Sequence, residues 1–206
     1  MIYINKREVP EWFTYLLKKD SSIEKYEDLS ADDRQRLRRS LLDEQFYICG
    51  YCCCKVGMVN AHNEHIVPQA LCRGRESLNY NNMIASCKGF HIDRDTCGHR
   101  KDNRYNREKF ISPLDRECER HYKYRIDGEI AGIDEKAKYT IELLNLNSGP
   151  LKRARREILR QSFNFKSDLA SEIYLKPYKG EMQPFCNIVK FFLDKHTDLF
   201  GNGATA

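Results

Sequence analysis

Cys49, Cys52, Cys53 and Cys54 crowd into six residues, and Cys87 and Cys97 follow at either end of the segment CKGFHIDRDTC. This feature constrains the chain most. Cys49-x-x-Cys52 is half of a zinc knuckle, because a tight turn brings thiolates at i and i+3 toward one ion. A structural zinc takes four ligands in a tetrahedron, with sulfur at ~2.3 Å. Cys87 and Cys97 are the candidates for the second half, although their spacing is wider than the usual two residues. Cys53 and Cys54 compete as ligands in the first half. From Cys49 to Asn103 helical and strand periodicity fades, and Gly, Asn, Cys and His dominate. Such a loop-rich segment needs a staple other than a large core, and a metal that closes it supplies one. Four cysteine ligands leave no open position, so this Zn²⁺ is structural.

The chain has 206 residues and nine cysteines, an odd count that argues against a disulfide framework and for thiols in a reducing compartment. Cys72, Cys118 and Cys186 stand alone and read as small buried hydrophobes. The opening residues MIYINKREVPEW lack an apolar signal core, and no apolar run approaches the ~20 residues of a membrane span. The expectation is a cytoplasmic protein with no membrane partner. A formal net charge of +5 permits a polyanionic partner without demanding one.

Local signals outline the remainder. Ser30 with Asp33 resembles an N-cap followed by an acid at the third helical position. Leu37, Leu41, Leu42 and Phe46 fall at helical spacing, which predicts a helix ending near Tyr47. EVPEWFTYLLKK reads as a shorter helix before it. Asp127-Gly128 between apolar runs predicts a hairpin. YTIELLNL reads as a strand or a helix start, PLKRARREILRQSF as a basic helix opened by Pro150, and PFCNIVKFFLDK as an apolar terminal helix. Three segments emerge: an N-terminal helical segment over 1–48, a zinc-stapled core over 49–110, and a C-terminal hairpin and helical region over 111–206. No repeat and no Pro- or Ser-rich linker separates them, so they are expected to form one α+β unit.

Between the knuckle halves lies MVNAHNEHIVPQ, where Ile66 and Val67 look like strand residues and Pro68 ends the strand. Neighbours on a strand point to opposite faces, so Glu64 and His65 diverge unless a bulge intervenes. CGYC, NEHIVPQ, NYNNMIASC and CGHRKDN, taken together, resemble the HNH, or ββα-metal, endonuclease motif built on a zinc knuckle. LRRSLLDEQFYICGYC before it resembles the HNH proteins of Septu-type and retron-associated anti-phage systems, the PtuB type. So do FISPLDRECERHYKYRIDGEI and TIELLNLN…LKRARRE after it. The similarity covers roughly residues 30 to 160.

The resemblance implies a ββα-metal core embedded in a mostly helical small domain. It implies a metal-dependent nuclease and a role for each matching residue. His65 matches the general base that activates water, a task suited to a side chain whose ordinary pKa is about 6.5. Glu64 matches the residue that often binds the divalent metal, Mg²⁺ or Mn²⁺. Asn82 matches the central Asn that orients the motif loop or the catalytic histidine. The third position falls to His99 or His91, with His99 preferred, although the family more often has its ligand directly after the cysteine, where Gly98 stands. Lys88, Arg100, Lys101, Asn103 and Arg104 would face phosphates. His62, His121 and His196 read as bystanders.

The implied substrate is DNA or tRNA. The implied partner is an ABC-type ATPase subunit, joined by a reverse transcriptase and non-coding DNA complex if the system is retron-linked. The chain itself lacks a G-x-x-x-x-G-K-[ST] P-loop. A second basic cluster, Lys152 to Arg160, lies outside the motif and suits either nucleic acid or a partner subunit. The competing reading is a zinc-stapled nucleic-acid-binding module without catalysis. A thiol redox protein would want a thioredoxin-like βαβ context, which the sequence does not offer.

Overall fold

The helix that Ser30 opens is capped as its sequence predicts. The computed structural model describes residues 1–90 and 95–201, and in it Ser30 Oγ accepts a hydrogen bond from Asp33 N at 3.1 Å. Helix α1 spans Glu11–Lys19 and α2 spans Ala31–Glu44. Leu37, Leu41 and Leu42 are fully buried and carry α2 onto the strands that follow. Each such leucine contributes about 1.5–3 kcal/mol of apolar burial. The helix stops at Glu44, short of Tyr47. Phe46 and Tyr47 take left-handed backbone conformations, φ 51° and 61°, and swing the chain into the cysteine segment.

Strand β1 (Ala61–His65) pairs antiparallel with β2 (Met83–Cys87), in the register Ala61↔Cys87 to His65↔Met83. Every residue of β2 is buried. Its outer edge is closed by the Gln45 amide, which bonds both the N–H and the C=O of Ala85, at 2.7 and 2.9 Å. Helix α3 (Cys97–Lys101) packs on β2. β1, β2 and α3 thus form a ββα unit, held between α2 and the C-terminal region.

Asp127-Gly128 makes the predicted turn, between β3 (Tyr122–Tyr124) and β4 (Ile130–Gly132). Glycine is required there twice over. Its φ is 86°, and a Cβ would lie 2.1 Å from Lys152 O. YTIELLNL resolves as helix: α4 spans Glu135–Leu143, N-capped by Asp134, which accepts from Ala137 N at 2.9 Å. Helix α5 (Gly149–Ser162) carries Pro150 in its first turn, where a missing N–H costs nothing. Helices α6 (Ser167–Leu175) and α7 (Cys186–Lys195) are the last α-helices among the described residues.

The architecture is mixed α+β, with seven α-helices and two small antiparallel sheets among the described residues. One hydrophobic cluster runs from Met1 to Phe200 and draws on all three sequence segments. Arg155 lies within it, fully buried. Its guanidinium donates to Gly128 O at 2.6 Å and Leu146 O at 2.7 Å. Burial lowers its pKa, and its Nη1 has no hydrogen-bond partner among the described residues. No helix among the described residues is long and apolar enough to cross a membrane.

Candidate functional site

The sulfurs of Cys49, Cys52, Cys87 and Cys97 lie within 4.8 Å of one another, all buried, and none is in a disulfide. Four donors ~2.3 Å from one centre are about 3.8 Å apart in a tetrahedron, and Cys52 and Cys87 stand 3.9 Å apart. The group could therefore hold zinc. It joins three pieces of chain: the turn after α2, the end of β2 and the start of α3. Cys87 N–H donates to Cys49 Sγ at 3.3 Å, and Gly98 N–H donates to Ser86 Oγ at 3.3 Å. Burial raises the Cys49 thiol, but hydrogen bonds from Cys52, Cys54, Cys87 and Cys97 outweigh it and draw the thiol well below its ordinary value. Cys54 touches the group from outside the set of four. Cys53 turns away and packs with Cys186 and Ile48. Cys118 and Cys186 are buried, and Cys72 is half-buried.

A cleft of about 240 Å³ opens at the end of β1, lined among others by His62, Glu64, His65, Gly98, His99 and Asn103. Strand alternation sorts its residues. His62 and Glu64 share a face: His62 Nε2–H donates to Glu64 Oε2 at 3.1 Å. The other carboxylate oxygen, Oε1, accepts from Tyr51 OH at 3.1 Å and lies 3.0 Å from Lys101 Nζ. Burial raises the Glu64 carboxyl, while the His62 hydrogen bond and the Lys101 charge outweigh it and leave the pKa below its ordinary value. Burial, and then Glu64 itself, push the Tyr51 hydroxyl well up.

His65 leaves β1 on the opposite face, as the absence of a bulge requires. Its ring sits edge-on to Tyr26, with centroids 4.8 Å apart. His65 Nε2 is 2.8 Å from Ser77 O. A carbonyl only accepts, so Nε2 carries the proton and Nδ1 keeps the lone pair. Burial lowers the imidazole pKa more than the Ser77 bond raises it, which favours the neutral ring. Asn82 ties the loop after β1: Val67 N–H donates to its Oδ1 at 2.8 Å, and its Nδ2 donates to Val67 O at 3.0 Å.

His99 stands in α3 two residues past Cys97, exposed, its ring 4.5 Å from that of His62. His91, the other residue weighed for the third motif position, lies outside the described residues. Gly98 explains how the helix approaches so closely. A Cβ there would come 2.4 Å from Glu64 Oε2 and 2.6 Å from His62 Nε2. The residue after the knuckle cysteine therefore has no room for a side chain, because Glu64 and His62 from β1 occupy the place it would take.

The residues expected to face phosphates divide. Lys88, Asn103 and Arg104 are exposed. Lys88 Nζ bonds Val59 O at 2.7 Å, and Arg104 bonds Arg100 O. Arg100 is half-buried and pairs with Asp95 at 2.7 Å. Lys101 does not face phosphate. It is 1 % exposed, and its ammonium bonds His65 O at 2.9 Å and Ile66 O at 3.2 Å besides Glu64. A buried cation needs such partners, and they leave no donor for a ligand.

Sequence reading set His62 aside and missed Tyr51. The signal for His62 was present: positions 62 and 64 of a strand share a face. Nothing local marks Tyr51. The chain matches no family model, and no curated protein is detectably similar to it.

Proposed function

We propose that the protein is a metal-dependent HNH endonuclease that hydrolyses phosphodiester bonds of DNA or tRNA. We propose further that it is the effector of a Septu- or retron-type anti-phage system with an ABC-type ATPase partner. The observation that carries the nuclease reading is the lone-pair nitrogen of a buried, neutral His65 beside a cleft that also holds His62, Glu64 and His99. The defence role rests on the flanking sequence blocks alone.

Glu64, His62 and His99 offer one carboxylate and two imidazoles, a donor set suited to a divalent cation, although among the described residues only the four cysteines bring their ligand atoms within 4.8 Å of one another. Glu64 and His62 are packed against Gly98 so closely that a Cβ there would clash with both, and His62 Nδ1 is buried with no partner among the described residues. Glu64, His62 and His99 would hold Mg²⁺ or Mn²⁺, which when bound neutralises the phosphate and the leaving oxygen. The chain's own groups do the rest. His65 Nδ1 takes the proton of the attacking water, while Ser77 O fixes the tautomer. Asn82 holds Val67 and so the loop behind the base. Tyr51 and Lys101 occupy Glu64 Oε1, and His62 Nε2 holds Oε2, so the carboxylate is fixed in orientation.

One observation favours the binding module without catalysis. The Lys101 ammonium already compensates the Glu64 charge, as it would in a purely structural pair. A cleavage assay with Mg²⁺ or Mn²⁺, on plasmid DNA and total tRNA, separates the two. Wild type and His65→Ala are compared with and without the ATPase subunit. Cleavage by wild type alone supports the nuclease. Equal inertness of both proteins in every combination, with nucleic acid still bound, overturns it in favour of the binding module.

A further inference from the structure

The basic cluster of α5 divides into two sets by what each cation touches. Lys152 is tied to the hairpin through Glu129 at 3.0 Å. Arg155 is interior and spent on backbone carbonyls. Leu151, Leu159 and Ser162 share that inner face. Arg153, Arg156 and Arg160 are exposed on the other side. At three- and four-residue spacing they form one stripe, about 10.5 Å long at 1.5 Å per residue.

None of the three has an acidic partner among the described residues, whereas Arg120, Lys138 and Lys176 elsewhere on the surface each have one. The nearest acid in sequence, Glu157, accepts from Gln161 at 3.0 Å. No large apolar side chain of α5 is exposed, and the stripe carries no aromatic residue.

These features narrow the occupant. A protein interface sets its arginines around buried apolar or aromatic anchors, and this face offers the arginines without the anchors. A single nucleic-acid strand is held by stacking its bases on aromatics, also lacking here. Unpaired guanidiniums alone match a backbone whose phosphates are fixed and regularly spaced. We propose that Arg153, Arg156 and Arg160 form a binding surface for the phosphate backbone of double-helical nucleic acid, outside the cleft of His65. The surface does not depend on the nuclease reading.

Fluorescence anisotropy with a duplex DNA and a duplex RNA of about 20 bp, and a dT strand of matching length, tests it. Titrations run between about 50 and 200 mM salt, without added divalent cation. The triple variant Arg153→Gln/Arg156→Gln/Arg160→Gln is compared with wild type. A control, Lys18→Gln/Lys19→Gln/Lys136→Gln, removes the same charge elsewhere.

The Arg triple is expected to weaken duplex binding at least about tenfold at the lowest salt. It should also cut the slope of log K against log salt by roughly 2–3, near 0.9 for each phosphate left without its arginine. The control is expected to change neither by as much, and the dT strand to bind more weakly than duplex. A weakening on DNA, on RNA or on both supports the proposal. An unchanged slope, an equal weakening in the control, or tighter binding of the dT strand overturns it. The three side chains make no hydrogen bond or ion pair among the described residues, so the melting temperature should stay at the wild-type value. If it falls, each single variant is read instead, with an expected slope change of about 0.9.

Discussion

Glu64 Oε1 lies 3.0 Å from Lys101 Nζ, with the two side chains 9 % and 2 % exposed. They are 37 positions apart in the chain, one on the first strand and one at the end of the short helix. The pair therefore locks α3 to β1. Removing one member leaves the other charged and buried, which costs about 3–5 kcal/mol. Lys101→Met should lower the unfolding free energy by that amount. Glu64→Gln/Lys101→Met should recover part of it, because no charge is then stranded. Strictly additive effects in urea titrations would count against the pairing.

Gly98→Ala places a methyl group where Glu64 Oε2 and His62 Nε2 now lie. The glycine backbone is an ordinary helical one, so the substitution acts by volume alone. Displacing site residues by about 1 Å typically costs ~100-fold in rate. Cleavage with Mn²⁺ should fall by about that factor while zinc content stays at the wild-type level. Full activity in the alanine variant would remove Glu64 and His62 from the site.

Zinc itself should be stoichiometric, one ion per chain. Structural zinc contributes about 10–16 kcal/mol in small zinc-dependent folds. Strong chelators should abolish the cooperative unfolding transition, and Cys87→Ser should lower metal content. Atomic absorption and circular dichroism read both. A protein that keeps its transition after complete demetallation would show that the four thiols are only packed.

Asn82 makes two hydrogen bonds to one residue, Val67. Asn82→Ala removes both, and Asn82→Asp removes the donor alone. Each bond is worth roughly 1 kcal/mol. Cleavage should therefore fall in the order wild type, aspartate, alanine, with kcat affected more than KM. An effect on KM alone would mean that Asn82 touches the substrate.

Arg155 offers a buried charge that no acid pairs among the described residues. Arg155→Ala should cost about 3–5 kcal/mol, through the cavity and the freed carbonyls of Gly128 and Leu146. Arg155→Met keeps most of the volume and strands no charge, so it should cost less. Thermal melts of the two variants give the comparison.

Features built from neighbours in sequence were legible. The Ser30 cap, the Asp127-Gly128 turn and the Pro150 helix start each depend on chemistry within four residues. The grouping of Cys49, Cys52, Cys87 and Cys97 was legible because an odd number of cysteines, four of them within six residues, suits metal ligation better than a disulfide framework. Lys101 was not, since a lysine in the run RKDNR reads as solvated until Glu64 is known to lie against it. Arg155 was hidden in the same way among the other lysine and arginines of its helix. Helix α6 was missed: its apolar stripe is short, and Leu169 breaks the pattern by facing solvent.

The register of β1 against β2 has a consequence of its own. Cys87 pairs with Ala61 at one end of the ladder, and His65 pairs with Met83 at the other. Shifting β2 by one residue would turn Cys87 to the far side of the sheet, away from the other three thiols. The same slip would move Glu64 and His65 relative to their supports. With a metal bound, the four cysteines would act as a folding checkpoint: a chain in which the four sulfurs can close around one ion would also have threaded its two strands in the alignment that the cleft requires.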